Sequence, residues 1–268
     1  MSRTAPARNV LAPRRHAPAR RHNQLARLLM TAALIFVVCD ARDSAHAKRR
    51  RAPAGGRAAV VVDERLSALR ESPDFSSNVL RRLGRGRAVG VTGERKAAGG
   101  AVVFYRVAVT RRTSGWVQSD ALVSPARAGD DARLLRLARG SEEFDRVERA
   151  AIFLETFPRS PLRPAALLIL GDAAADAAAR LSRDASRRLD AREMEAGGAP
   201  ARTYFLNFVG LDRYRRLGVS FVFDGARGEF QYDGAAWREI LRRHPRSREA
   251  AEARARLGAS SAPAAPSK

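Results

Sequence analysis

Few residues in this chain have the chemistry to make or break a covalent bond. The 268-residue sequence holds one cysteine, Cys39, and four histidines, His16, His22, His46 and His244. A lone thiol excludes an intrachain disulfide and a cysteine-rich zinc site. Three of the histidines precede residue 48, so a Ser-His-Asp triad or a metal site beyond that point has only His244 to draw on. His244 stands against Pro245-Arg246-Ser247, a turn sequence in which a surface or helix-capping role is the simpler one. The carboxylates fall among arginines on helix-forming stretches, with no pair marked out for glycoside hydrolysis. Gly84-x-Gly86-x-x-x-Gly90 has the look of a phosphate-binding loop, but it opens no helix and lacks the Gly-Lys-Ser/Thr ending. The expectation is a chain with no catalytic residue, no metal and no cofactor. A wall hydrolase is the enzyme alternative, and no catalytic domain supports it.

Charge narrows the partners. The formal net charge is +22, and all but Lys48, Lys96 and Lys268 of the 50 basic residues are arginine. The arginines are scattered among alanines along the chain instead of forming blocks, which is poor design for a phosphate-tracking surface. Nucleic acid is therefore not expected as a partner, although so basic a surface attracts anions of other kinds. Apolar content of 45% excludes wholesale disorder.

The first 47 residues have the three-part layout of a secretory signal. Residues 1–27 carry seven arginines and no acid, and Leu28 to Cys39 form an apolar run. Small residues at Ala45 and Ala47 follow, which predicts cleavage after Ala47. The twelve-residue run would span about 18 Å as a helix, short of the roughly 30 Å hydrocarbon core, so a membrane span is the weaker reading. Cys39 closes the run where a lipoprotein signal places its acylated cysteine, but Val38 before it is larger than that signal prefers. Membrane association is expected only if Cys39 is lipidated. Residues 48–57 read as a basic linker.

Between residues 58 and 125, short β-favouring runs alternate with turn residues. Val103, Tyr105, Val107 and Val109 keep period two, as do Val89 and Val91, with turns marked by Ser72-Pro73, Gly84, Gly86, Gly93 and Gly99-Gly100. Five or six such strands in so short a span make a small barrel or sandwich. The block carries Ser67-Ala68-Leu69-Arg70-Glu71-Ser72-Pro73, Leu83-Gly84, Tyr105-Arg106-Val107 and Gly115-Trp116-Val117, with Leu122 beyond. In order and spacing these residues resemble the bacterial SH3 domain. The resemblance implies an SH3-like β-barrel that engages cell-wall peptide or an envelope protein, with Arg70, Tyr105 and Trp116 as the candidate binding residues. The tryptophan of that motif commonly packs part of the barrel core, so Trp116 has a structural alternative to ligand contact. Phe104-Tyr105 stands where the family often has tryptophan.

From residue 130 to 258 the composition turns to alanine, leucine and arginine. Phe144, Val147, Ala151, Leu154 and Phe157 recur at spacings of three and four, predicting an amphipathic helix that Pro158 ends. Ser160-Pro161 is expected to cap the next helix, and Ala165 to Leu181 to be buried nearly all round. An internal repeat follows from the segments 158–171 and 245–258: both begin Pro-Arg-Ser, and both have Ala, Leu and Gly at offsets eight, twelve and thirteen. Each copy follows an amphipathic stretch, so each predicts a helical hairpin. The pattern resembles tetratricopeptide-like repeats, interrupted here by intervening sequence. Phe221, Phe223, Phe230 and Tyr232 around Gly225–Gly228 predict a β-hairpin within the interruption, packed on the helices. Residues 259–268 are expected to form a disordered tail.

The sequence thus points to a multidomain β plus α chain, exported to the periplasm or cell envelope. The function expected is a non-enzymatic binding adaptor, with the helical repeats mediating protein–protein contact. The alternative is a lipid-anchored structural component of an outer-membrane assembly complex. The sequence does not set the oligomeric state.

Overall fold

The computed structural model describes residues 55–261 apart from residue 98. The expected leader with Cys39 and Ala47, most of the expected linker and the last residues of the expected tail lie outside the described residues.

Strands β1 (Arg57–Val61), β2 (Ala68–Arg70), β3 (Val79–Arg82), β4 (Ala88–Lys96), β5 (Val103–Ala108), β6 (Ser114–Gln118) and β7 (Leu122–Val123) form one antiparallel sheet. Its order is β3-β2-β6-β5-β4-β1-β7. The valines that keep period two do so because alternate residues point to opposite faces. Val61, Leu69, Val89, Val107 and Val117 meet on one side with no exposure to solvent. A register shift between Val91 and Gly93 leaves Thr92 unpaired, so Gly93 faces Arg106 and Arg95 faces Phe104 across β4 and β5.

The helical region begins with α1 (Asp130–Arg139) and α2 (Glu143–Thr156), followed by the long α3 (Arg163–Arg188). Two acids open α1 and two arginines close it, matching the helix dipole. The expected cap at Ser160 is displaced: α3 starts at Arg163 with Pro164 in its first turn. The Ser160 hydroxyl instead accepts from the Leu162 N–H and donates to Asp131 on α1. Alanines let α3 sit centrally, against α2 and the later helices, with Ala166, Ala174, Ala177 and Ala185 fully buried.

Short helices α4 (Ala191–Gly197), α5 (Ala201–Leu206) and α6 (Asp212–Arg215) lead to the hairpin β8 (Phe221–Asp224) and β9 (Glu229–Tyr232). Phe221 pairs with Tyr232 and Phe223 with Phe230. Phe223, Phe230 and Tyr232 are buried in the helical core, and Phe205 stacks on Phe223 at 4.4 Å. Ser182 of α3 ties the hairpin down by accepting from the Phe230 N–H at 2.7 Å. The second helical hairpin is α7 (Ala235–Arg243) and α8 (Glu249–Ser261). Helix α8 continues past Gly258 to Ser261, so the first residues expected to form the tail are helical.

The expected division near residues 125–130 falls at a turn, but the two regions share an apolar cluster. Val62 and Val123 from the sheet side pack with Leu134 and Leu135 of α1, Ile152 and Phe153 of α2, and Ala166 of α3. A core crossing the boundary couples the two regions far more tightly than a linker would.

Candidate functional site

Chain geometry presents Trp116 on the face of the sheet opposite the valine core. The strand before it approaches β2 so closely that a Cβ on Gly115 would lie 2.6 Å from the Arg70 carbonyl oxygen and 2.9 Å from Leu69. Only glycine fits there. Trp116 is then paired with Arg70 of β2 on one side and Arg106 of β5 on the other. The guanidinium of Arg95 sits 5.8 Å from the centre of the indole. Trp116 is half-buried and joins none of the apolar clusters among the described residues. A cation over an indole face at this range is attracted by the ring quadrupole.

Arg70 does not offer its charge freely to solvent. Its Nη1 donates to the carbonyls of Phe75 and Ser77 at 2.8 and 2.7 Å, which fixes the 71–78 loop beside the tryptophan. That loop carries Phe75, half-exposed, whose ring meets buried Phe104 edge-on at 5.4 Å. Beyond it lies β3, the outermost strand, with Val79 and Leu80 exposed together with Arg81 and Arg82. The outcome is a basic, aromatic surface next to a strand edge that no described strand pairs.

The third candidate, Tyr105, is elsewhere. Its strand neighbour Arg106 pairs with Trp116, so Tyr105 pairs with Val117 and points to the core side. There its hydroxyl accepts from Arg127 at 3.2 Å. An aromatic rim that joins Tyr105 to Trp116 is therefore not formed, because adjacent residues on a strand face opposite ways. Arg95 and Arg106 take the expected place of Tyr105. Arg106 was legible as the polar residue between two apolar ones; Arg95 was hidden by the unpaired Thr92, which decides its face.

A second group of side chains gathers where the sheet meets α1 and α2. Arg85, from the turn before β4, makes ion pairs with Asp145 at 2.6 Å and Glu148 at 2.9 Å on α2. Arg149 donates from Nε to the Val62 carbonyl at 3.3 Å and from Nη1 to the Ser141 hydroxyl. Arg133 of α1 donates to the Asp120 carbonyl at 2.8 Å and to that of Leu122. Asp130 accepts from the Ser124 N–H and from Arg127, both at 2.8 Å. The Arg85 hydrogen bond, with the charges of Arg85 and Arg149, holds the Asp145 carboxyl below its ordinary range despite burial. The Arg65 hydrogen bond does the same for Asp63. Burial pushes Glu148 up, more than Arg85 pulls it down. Burial, then the charge of Arg85, lowers Arg149.

Among the described residues no cluster of His, Cys, Asp and Glu could hold a metal ion. No helix among them is long and apolar enough to cross a membrane. His244 sits in the α7–α8 turn with its Nε2 buried and unbonded, away from both groups described above. Comparison with protein families, with curated proteins and with solved structures finds no match to this chain.

Proposed function

We propose that this chain is an exported, non-enzymatic envelope adaptor whose β-region is a bacterial SH3-like module that captures an extended peptide bearing carboxylates. The observation that carries the reading is the outward Trp116, stacked by Arg95 and flanked by Arg70 and Arg106 beside the open edge of β3. An extended peptide can hydrogen-bond along a strand edge, rest an apolar group on an indole face and place carboxylates against guanidinium groups. Cell-wall peptide has that chemistry, and so does an acidic segment of an envelope protein. Export rests on the basic, apolar and small-residue segments of 1–47. The tetratricopeptide-like reading of the helices rests on the duplicated Pro-Arg-Ser hairpins, which suit a second protein contact.

Co-sedimentation of the full chain with purified peptidoglycan tests the proposal. Pelleting that survives physiological salt and falls at least about tenfold in Trp116→Ala, as loss of a central aromatic anchor does, is the expected result. Pelleting that vanishes with salt and ignores the tryptophan would reduce the interaction to general charge attraction and overturn the reading.

A further inference from the structure

The junction arginines do more than their structural bonds require. Between the sheet and α1–α2 lies a cleft of about 640 Å³, walled mostly by charged residues, with Leu137, Gly140 and Ser141 the uncharged ones. That volume suits a small molecule, and the lining suits a polar one. We infer that this cleft binds a small molecule with a single carboxylate, of the size and charge of an amino acid or dipeptide, through Arg149 and Arg136.

Three observations support it. First, donors are left over. Arg149, 7% exposed, has used Nε and Nη1 on the protein, and its second terminal nitrogen donates to no described group. Arg85, with its side chain 9% exposed, has a buried Nε without a partner. The Arg136 side chain, exposed on α1, makes no hydrogen bond or ion pair with any described residue. Buried donors in folded proteins are nearly always satisfied, so the unmet Arg85 Nε, in a wall where Arg149 and Arg136 have donors to spare, points to an acceptor brought from outside.

Second, the other arginines of the lining have close carboxylate partners, whereas Arg149 and Arg136 have none of their own. The acid nearest Arg149 is Asp145 at 3.7 Å, and Asp145 is already engaged bidentately by Arg85. A carboxylate matches a guanidinium fork in plane and charge. Third, the wall also carries Glu64 and Glu142. These repel a dianion such as phosphate and give an ammonium group somewhere to bind. The combination favours a zwitterion over a polyanion.

This site is distinct from the Trp116 face, so its test separates from that of the adaptor reading. Titration calorimetry on the full chain would use alanylalanine, its C-terminal amide and inorganic phosphate as probes. Saturable binding of alanylalanine is expected, about tenfold weaker for the amide because a charge-assisted pair is lost. Arg136→Ser lies on the surface and should weaken binding about three- to tenfold with an unchanged melting temperature. Arg149→Lys, which keeps the charge but not the fork, should weaken it further. If that variant does not fold, Arg136→Ser carries the comparison, set against Arg139→Ser, an exposed arginine of α1 outside the cleft lining, which should bind as the natural chain does. Absence of saturable binding, equal affinity for the amide, tighter binding of phosphate, or indifference to Arg136→Ser would each overturn the assignment.

Discussion

The two helical hairpins share a turn sequence and share its backbone bonds, yet their side chains meet different fates. In the first, the Phe157 N–H donates to the Phe153 carbonyl and the Ser160 N–H to that of Phe157. In the second, the His244 N–H donates to Ile240 and the Ser247 N–H to His244 in the same pattern. Ser160 then finds Asp131 on α1 at 2.7 Å, whereas the Ser247 hydroxyl is buried without a partner, as is His244 Nε2. Gly171 and Gly258 hold the same place in the repeat and differ as sharply. A Cβ on Gly171 would fall 2.3 Å from Trp237 Nε1, while one on Gly258 meets nothing within 4 Å. Local sequence sets the turn; the neighbours decide what each side chain is for.

The largest test of that contrast is a pair of identical substitutions. Gly171→Ala forces α3 and α7 apart at the indole and should cost about 1–3 kcal/mol by denaturant unfolding. Gly258→Ala should be neutral or stabilising by up to about 1 kcal/mol, because alanine is the better helix former. Equal effects would show that the repeat position, not its contact, sets the requirement. Next comes the link between the two hairpins, where Arg163 of α3 meets Glu239 of α7 at 2.7 Å. Both side chains are mostly buried, so Arg163→Ala should cost about 1–3 kcal/mol by leaving the carboxylate only the more distant Arg243, at 3.9 Å. A smaller split is expected between Ser160→Ala, a loss of about 1 kcal/mol, and Ser247→Ala, unchanged or slightly stabilised.

The smallest effect is that of pH, and it belongs to the first hairpin's contact with the sheet. Glu148 is raised above its ordinary 4.5, so its ionisation disfavours folding, and acidification through its folded value removes that cost. Asp145 and Asp63 are lowered below their ordinary 3.8, so their stabilisation persists above that value and is lost as pH falls through their folded ones. The two trends oppose one another. The junction's contribution should rise slightly as pH falls toward 4.5 and fall away below 3.8. Chemical denaturation at stepped pH should show an acid limb flattened in Arg85→Met, in which the Asp145 hydrogen bond is gone; an unaltered limb would place the effect elsewhere.

What the sequence made legible was local. Period two along β5 and the aromatic pairs of the β8–β9 hairpin follow from spacing, and the structure has them. The face of α2 was seen only in part, because Ala150, together with Ile152 and Phe153, which pack toward the sheet, is more buried than Phe144, Ala151 and Leu154. Ser160 misled because serine before proline suits both a cap and a preceding turn, and Asp131, far back in sequence, decided between them. The candidate site was partly visible: Trp116 and Arg70 are neighbours, but their pairing with Arg106 and Arg95 depends on strand register and on one unpaired threonine. The junction was invisible, since Arg85 and Asp145 are sixty residues apart and look like two more charges in a chain full of them. An arginine-rich composition conceals the few guanidinium groups that are buried.

The outermost strand has a further consequence, for how the protein behaves in solution. With Val79 and Leu80 exposed, β3 would template a second copy edge to edge, were it not followed by Arg81 and Arg82. These act as gatekeepers through like-charge repulsion, and repulsion of that kind reaches only about 8 Å at physiological ionic strength. Colloidal stability at this edge is therefore a function of the medium: concentrated salt or a polyanion screens the arginines, and the same edge becomes a point of self-association.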